Sequence, residues 1–225
     1  MKVLVVAPHP DDEVLGCGGT MARHSVQGDR VYVLVVTRGI PEIFPPEEIE
    51  RTRQELRRAH KMLGVTDTLF LDYPAPKLDT VPEYKLAEAI SEVIHVLQPD
   101  ILYIPHRGDI HVDHKAVYNA AMVASRPVDD MFIQRILCYE TLSETEWGAL
   151  SESSAFVPNV FIDITRFLNK KLEAMASYRS QLKNEPHPRS LRSIKALAYL
   201  RGGTVGVHAA EAFVLVREIL PDSAP

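Results

Sequence analysis

Short runs of apolar, mostly β-branched residues alternate along the chain with longer amphipathic stretches. The runs at 3–7, 31–36, 68–71, 101–104 and 135–140 show little polar alternation, as expected of strands that are buried on both faces of a sheet. Between these runs, apolar residues recur at spacings of three and four, which predict amphipathic helices. The alternation of strand and helix predicts a doubly wound α/β fold whose sheet is mostly parallel.

Four helices are predicted between these strands, over 13–26, 46–63, 86–97 and 115–124. A proline-rich segment at 72–79 is expected to form a stiff loop after the third strand. The last third of the chain is less regular, and we predict there a strand, two helices and a final strand, within 156–164, 165–182, 190–200 and 212–216.

Clusters of histidine and carboxylate residues follow the first and the fourth predicted strand, at 9–13 and 109–114. In doubly wound sheets, ligands bind outside the carboxyl ends of the strands, at the point where the strand order reverses. With the order 3-2-1-4-5 plus the C-terminal strands, that point lies between strands 1 and 4. We therefore expect the two clusters to face each other across one crevice.

The residue types in the two clusters are those of a metal site. Hydrolytic zinc sites use three protein ligands and keep one position open for water, and imidazole and carboxylate groups are both suitable ligands. His9 and Asp12, with either His111 or His114, make such a set. The alternative is a polar loop whose aspartates only cap the next helix.

A hydrolytic metal site also needs a base that accepts a proton from water, and a carboxylate beside a ligand commonly serves as that base. Asp11 is the candidate, because it adjoins Asp12 and remains free to point at the water. Of His111 and His114, the one that does not bind metal is expected to stabilise the oxyanion or to protonate the leaving group. Asp113 lies between them, where it can orient that histidine and favour its protonated form.

Two other classes of function remain open from these residues. A phosphoester hydrolase with two metal ions about 4 Å apart would need more bridging carboxylates, and Glu13, Asp109 and Asp113 leave this possible. A non-catalytic sugar- or nucleotide-binding module is the other alternative. It is disfavoured because no G-x-G-x-x-G follows the first strand, and because such a module needs no spare carboxylate beside a metal.

Composition narrows the class of protein further. A chain of 225 residues with 46% apolar content can form one well-buried domain, and we predict a single domain over 1–225. The net charge of −5, with both signs interspersed, argues against a nucleic-acid partner. Cys17 and Cys138 suit a reducing compartment better than a disulfide framework. The first apolar run is too short for a signal peptide and no stretch approaches membrane-spanning length, so we expect a cytoplasmic protein without a membrane partner.

Several motifs together resemble one enzyme family, the LmbE-like or PIG-L-type zinc-dependent N-acetylglucosamine deacetylases. The motifs are the segment 7–13 with its glycine-rich continuation, 37–39, the His-x-Asp-His pattern at 111–114, 178–181 and 210–213. The resemblance spans nearly the whole chain. It implies a Rossmann-like α/β domain, in agreement with the predicted strand order.

The resemblance also implies roles for individual residues. His9, Asp12 and His114 would hold one Zn²⁺ per chain, with other divalent metals possible. Asp11 would be the general base, and His111 the oxyanion-stabilising acid, oriented by the aspartate two positions later.

The resemblance further implies the substrate and the assembly. Family members hydrolyse the acetamide of an N-acetylglucosaminyl group, release acetate and a free amine, and many of them form trimers or hexamers. We therefore expect a small-molecule amino-sugar substrate and a homo-oligomer. Four residues are candidate substrate contacts: Arg38, Arg53, Tyr178 and His208.

Overall fold

The computed structural model describes residues 1–128, 133–149, 151 and 154–220. Its seven strands are β1 (Lys2–Ala7), β2 (Arg30–Gly39), β3 (Asp67–Ala75), β4 (Ile101–Pro105), β5 (Arg135–Tyr139), β6 (Val160–Asp163) and β7 (Ala210–Glu218). Its six α-helices are α1 (Asp12–Val26), α2 (Pro46–Leu63), α3 (Glu83–Leu97), α4 (Val112–Ala124), α5 (Leu168–Ser177) and α6 (Leu191–Val205), and a 3₁₀ turn covers Leu78–Thr80.

The seven strands form one sheet in the order β3-β2-β1-β4-β5-β7-β6. Strands β1 to β5 are parallel to their neighbours, whereas β7 runs antiparallel to both β5 and β6. The predicted order 3-2-1-4-5 and the mostly parallel α/β fold are confirmed. Strand order reverses between β1 and β4, and the pairing of Val5 with Tyr103 brings the carboxyl ends of the two strands to the same level. The clusters that follow them therefore meet at one edge of the sheet.

The strands are continuous apolar runs because helices cover both faces of the sheet. Val3 and Val5 point to one face, into a core shared with α1, α2 and α5. Leu4 and Val6 point to the other face, into a core shared with α3 and α4. All four side chains are fully buried, and complete burial of such a side chain contributes roughly 1.5–3 kcal/mol. This packing gives the residues that follow β1 and β4 a rigid support.

Several element boundaries differ from the predicted ones. Strand β3 continues to Ala75, through part of the segment predicted as a loop. Because β3 is at the edge of the sheet, it pairs with a strand on one side only, and an edge strand tolerates a proline such as Pro74, which has no backbone N–H. Helix α5 ends at Ser177, so most of the predicted helix after that point is a connecting segment. Helix α6 runs past Gly202 to Val205. Gly202 lies so close to the Ala209 backbone that a side chain would not fit at this position.

Within the described ranges, no helix combines the length and the apolar character that crossing a bilayer requires.

Candidate functional site

Three potential metal ligands converge where β1 and β4 end. His9 lies in the loop after β1, Asp12 is the first residue of α1, and His114 lies in the first turn of α4. One ligand atom from each residue lies within 4.8 Å of the other two. The ring centroids of the two histidines are 5.3 Å apart. Asp12 and His114 are fully buried, whereas His9 is partly exposed, so the group is reachable from one side.

His114 is oriented by two residues outside the ligand group. Asp109 Oδ2 lies 2.8 Å from Nδ1 of His114, and Thr145 donates a 2.6 Å hydrogen bond to Asp109 Oδ1. Because the carboxylate accepts from Nδ1, the lone pair of the neutral ring is on Nε2, which lies 3.2 Å from Asp12 Oδ2. A carboxylate that fixes the tautomer in this way is typical of metal-binding histidines. The sequence had indicated Asp109 only as a possible bridging carboxylate.

Two atoms of this group lack hydrogen-bond partners among the described residues. They are Asp12 Oδ1 and His114 Nε2, both completely buried. A buried polar atom without a partner costs about 1–3 kcal/mol, and two such atoms within one ligand group fit a cation site better than a packing defect. The donor set of two imidazoles and one carboxylate also suits a divalent metal ion. The residues therefore fit the ion that the sequence predicted.

The charges around the group favour a cation as well. Burial opposes charge on His114, but the nearby carboxylates of Asp12 and Asp109 raise its pKa to about 10. Burial likewise opposes charge on His9, and hydrogen bonds to Asp113 and Asp12 raise its pKa to about 9. The carboxylates thus create a negative potential at this point of the sheet edge.

Asp11 lies beside the group without belonging to it. Its backbone has φ of 120°, an unfavourable value for a residue with a side chain, and such strain costs about 1–3 kcal/mol. Burial raises the pKa of its carboxyl group to about 7, against the opposing effect of Arg189. The side chain lines the cleft described below. Asp11 is therefore a carboxylate at a strained backbone position beside the three potential metal ligands.

Arg189, which the sequence did not indicate as a site residue, holds the Asp11 carboxylate. Its guanidinium donates to Asp11 Oδ2 at 3.1 Å, to Glu144 Oε1 at 3.1 Å and to Ser143 Oγ at 2.7 Å. Arg189 lies in the segment between α5 and α6, far from the other site residues in sequence. No motif in that segment pointed to it, because the contact depends on how the segment folds over the sheet edge.

We predict that Arg189→Gln lowers kcat for the expected amide hydrolysis about tenfold, with little change in metal content. The substitution removes one charge-assisted hydrogen bond to Asp11, and such bonds contribute about 1.5–3 kcal/mol. Arg192→Gln is the matched control, since Arg192 is close to Arg189 in sequence but forms an exposed ion pair with Glu185. Steady-state kinetics and metal analysis of both variants check the prediction. Equal rates for the two variants would contradict it.

His111 and Asp113 are close to the group, but their pairing differs from the expectation. Asp113 Oδ2 contacts His9 Nε2 at 2.9 Å, and its other oxygen accepts from the Leu78 backbone, so the carboxylate orients His9 rather than His111. His111 Nδ1 instead accepts from the Asp113 backbone N–H at 3.1 Å. Burial and the neighbouring His9 and His114 lower the pKa of His111 to about 4. Because Nδ1 accepts this hydrogen bond, it carries no proton, and the expected orientation of a protonated His111 by the Asp113 carboxylate is not seen in this arrangement.

An open cleft of about 540 Å³ lies over the site. His9, Asp11 and His111 form part of its wall, whereas Asp12 and His114 are buried below it.

Two of the predicted substrate contacts, Arg38 and Arg53, also line the cleft. Arg53 is tied to Asp72 by an ion pair and lies over the Phe70 ring at 4.6 Å, while Arg38 is exposed. Both remain available to a molecule bound in the cleft.

The other two predicted substrate contacts lie elsewhere. Tyr178 is fully buried, and its hydroxyl donates a 2.5 Å hydrogen bond to Glu13 Oε1, so it has no surface for a substrate to touch. The predicted contact is wrong, because the tyrosine faces the protein interior. His208 is exposed in the turn before β7 and does not line the cleft of its own chain.

Comparison with known proteins identifies the family. The model of the family described as PIG-L, GlcNAc-PI de-N-acetylase, matches residues 4–125. The chain is 32% identical over 187 residues to the uncharacterized deacetylase YaiS of Escherichia coli (strain K12), an alignment that covers 79% of this chain and 90% of YaiS. It is 26% identical over 193 residues to the diacetylchitobiose deacetylase of Thermococcus kodakarensis, with 80% of this chain and 70% of that protein covered.

A solved structure shares the fold over nearly the whole chain. A conserved protein from Thermus thermophilus matches with a TM-score of 0.79 and 28% identity, covering 99% of this chain and 98% of that chain. The family match includes both histidine and carboxylate clusters, at 9–13 and 109–114. The family predicted from the motifs is thereby confirmed, and the chain belongs to the PIG-L (GlcNAc-PI de-N-acetylase) family.

Proposed function

We propose that this protein is a zinc-dependent amide hydrolase that removes the acetyl group from an N-acetylglucosamine-type amino sugar or its conjugate. One observation carries the proposal. A three-residue ligand group with unsatisfied atoms lies next to a carboxylate, Asp11, that lines the cleft and is not part of the group. A ligand group alone would suit a structural metal, whereas the adjacent free carboxylate suits hydrolysis.

His9, Asp12 and His114 would hold the metal. Bound Zn²⁺ acts as a Lewis acid and lowers the pKa of water to about 7 in sites of this kind. Asp11 serves as the general base: Oδ2 is held by Arg189, which leaves Oδ1 to accept the proton of the attacking water. The same carboxyl group then returns the proton to the leaving amine.

His111 stabilises the negative charge that develops on the acetamide oxygen. Its Nδ1 accepts from the Asp113 backbone, so the neutral ring carries its proton on Nε2. A neutral imidazole that donates from a fixed position can stabilise an oxyanion without losing its own proton. Asp113 contributes by orienting His9 through its carboxylate.

The substrate class follows from the cleft and from the relatives. The cleft volume of about 540 Å³ suits a sugar with part of its aglycone. A relative that is 26% identical to this chain is a diacetylchitobiose deacetylase. Arg38 and Arg53 are proposed contacts for sugar hydroxyls or for an anionic aglycone. We include in the proposal a homo-oligomer, trimer or hexamer, which light scattering tests.

A phosphoester hydrolase is less favoured. Two residue groups of metal-binding type occur in the described part of the chain, and both contain His9, so they do not form two separate sites. A two-metal mechanism needs two ions about 4 Å apart with bridging carboxylates.

Incubation of the zinc-loaded protein with N-acetylglucosamine, diacetylchitobiose and charged or uncharged N-acetylglucosaminides tests the proposal. We expect acetate and primary amine in equal amounts from at least one of them. Protein stripped of metal by a chelator is the blank, and added Zn²⁺ should restore the rate. Release of phosphate from aryl phosphate esters, without acetate release from any amide, would overturn the assignment.

A further inference from the structure

Glu13 is a buried carboxylate that the proposed chemistry does not use. It is completely inaccessible to solvent and follows the ligand Asp12 directly. It does not belong to either group of potential metal ligands in the described residues. Burial of a charged group is costly unless it is fully hydrogen-bonded, so the contacts of Glu13 indicate its role.

Both oxygens of Glu13 accept hydrogen bonds from other parts of the chain. Oε2 accepts from the backbone N–H of Asp11 at 3.0 Å. Oε1 accepts from the Tyr178 hydroxyl at 2.5 Å and lies 3.1 Å from His60 Nε2. Because a carboxylate can only accept, the histidine must donate from Nε2.

His60, in turn, has a hydrogen-bond partner for its other ring nitrogen. His60 Nδ1 lies 2.7 Å from Thr68 Oγ1, so the Thr68 hydroxyl donates and fixes the His60 ring. His60 is on α2 and Thr68 on β3, and Tyr178 immediately follows α5. Residues from α2, from β3 and from the position after α5 thus fix the position of Glu13.

Glu13 restrains the peptide N–H of Asp11, the residue with φ of 120°. A strained backbone persists only when its surroundings hold it. Arg189 fixes one end of the residue, at the carboxylate, and Glu13 fixes the other, at the backbone. The direction in which the Asp11 side chain leaves the main chain therefore depends on Glu13.

We propose that Glu13, anchored by Tyr178 and His60, is a positioning residue that holds the strained Asp11 backbone so that its carboxylate faces the cleft. The proposal rests on the proposed function, in which Asp11 is the base. It gives Tyr178 a role in the reaction that requires no contact with substrate.

Tyr178→Phe is the direct test, because it removes only the hydroxyl that anchors Glu13. We expect kcat for acetate release to fall about tenfold, with KM and zinc content nearly unchanged. In the Asp11→Asn background, the same substitution should change the residual rate less than about twofold, since residues that act as a unit are not additive. Amide hydrogen exchange at Asp11 should become faster in the single variant.

Tyr103→Phe is the matched control. Tyr103 is also a buried phenol whose hydroxyl contacts a histidine, His24, at 3.0 Å, but it does not contact Glu13. Its substitution should leave kcat and the exchange of the Asp11 amide as in the unsubstituted protein. Should Tyr178→Phe fail to fold, Thr68→Val removes the outer contact of the same network, and we expect roughly a two- to threefold loss of kcat.

The outcomes separate this proposal from the proposed function. Equal losses from Tyr178→Phe in the presence and absence of the Asp11 carboxylate would overturn the positioning role, as would a loss of zinc in proportion to activity. Unchanged exchange at the Asp11 amide would overturn it too, and that measurement needs no substrate. Absence of acetate release from the unsubstituted protein would count against the deacetylase assignment alone.

Discussion

Replacing Asp11 by asparagine is expected to lower kcat by about 10² to 10⁴, the usual contribution of a general base, while the zinc content stays the same. Asparagine keeps the size of the side chain and can still accept from Arg189, but its amide cannot take a proton from water. Asp11 is not one of the three proposed metal ligands, so the ion should remain bound. KM should change little, since the carboxylate acts mainly in the transition state.

Glu144→Gln is the control for this variant. Glu144 also lines the cleft and accepts from the same guanidinium, at 3.1 Å, so its substitution disturbs Arg189 without touching the base. We expect a loss of kcat below about tenfold, as for one hydrogen bond. Rates of acetate release and zinc contents of the two purified variants check the comparison. An Asp11→Asn protein with more than about a tenth of the normal kcat would show that another group is the base.

The features that the sequence predicted are those set by local pattern and by chain topology. The apolar run in β1 and the residues 9–13 after it predict a buried strand that ends in polar chemistry, and the β-α alternation predicts which strands become neighbours. These two facts suffice to bring His9 and His114 together, although they are 105 positions apart. No side-chain detail was needed for that inference.

The site features that the sequence did not predict depend on which hydrogen-bond partner a buried polar group finds after folding. Glu13 could bind a metal, cap a helix or accept from the interior, and only the packing of α2 and α5 against α1 selects the last of these. Tyr178 belongs to a motif that suggested a substrate contact, yet burial of its side chain decides otherwise. Arg189 lies in a connecting segment without periodicity, where the sequence does not determine the direction of a side chain.

Loss of the His114 imidazole is expected to abolish both zinc binding and catalysis. The ring supplies one of three ligands, and substitution even of a residue that only orients a ligand costs about 10- to 100-fold in metal affinity, so His114→Ala should cost more than about 100-fold. The unsubstituted protein should unfold about 5–10 °C higher with Zn²⁺ at about 100 times its Kd than without metal, since binding to the folded state adds about 2.7 kcal/mol. That shift should vanish in His114→Ala.

His106→Ala separates loss of the metal from loss of a buried histidine. His106 is also buried near the end of β4, but it contacts the Ser154 carbonyl oxygen and belongs to neither ligand group. Both variants should be less stable than the unsubstituted protein without metal, because each leaves a cavity. Only His106→Ala should regain stability and acetate release when Zn²⁺ is added. A zinc-dependent rise in unfolding temperature that survives in His114→Ala would mean that the ion binds elsewhere, and the site built from His9, Asp12 and His114 would then have to be abandoned.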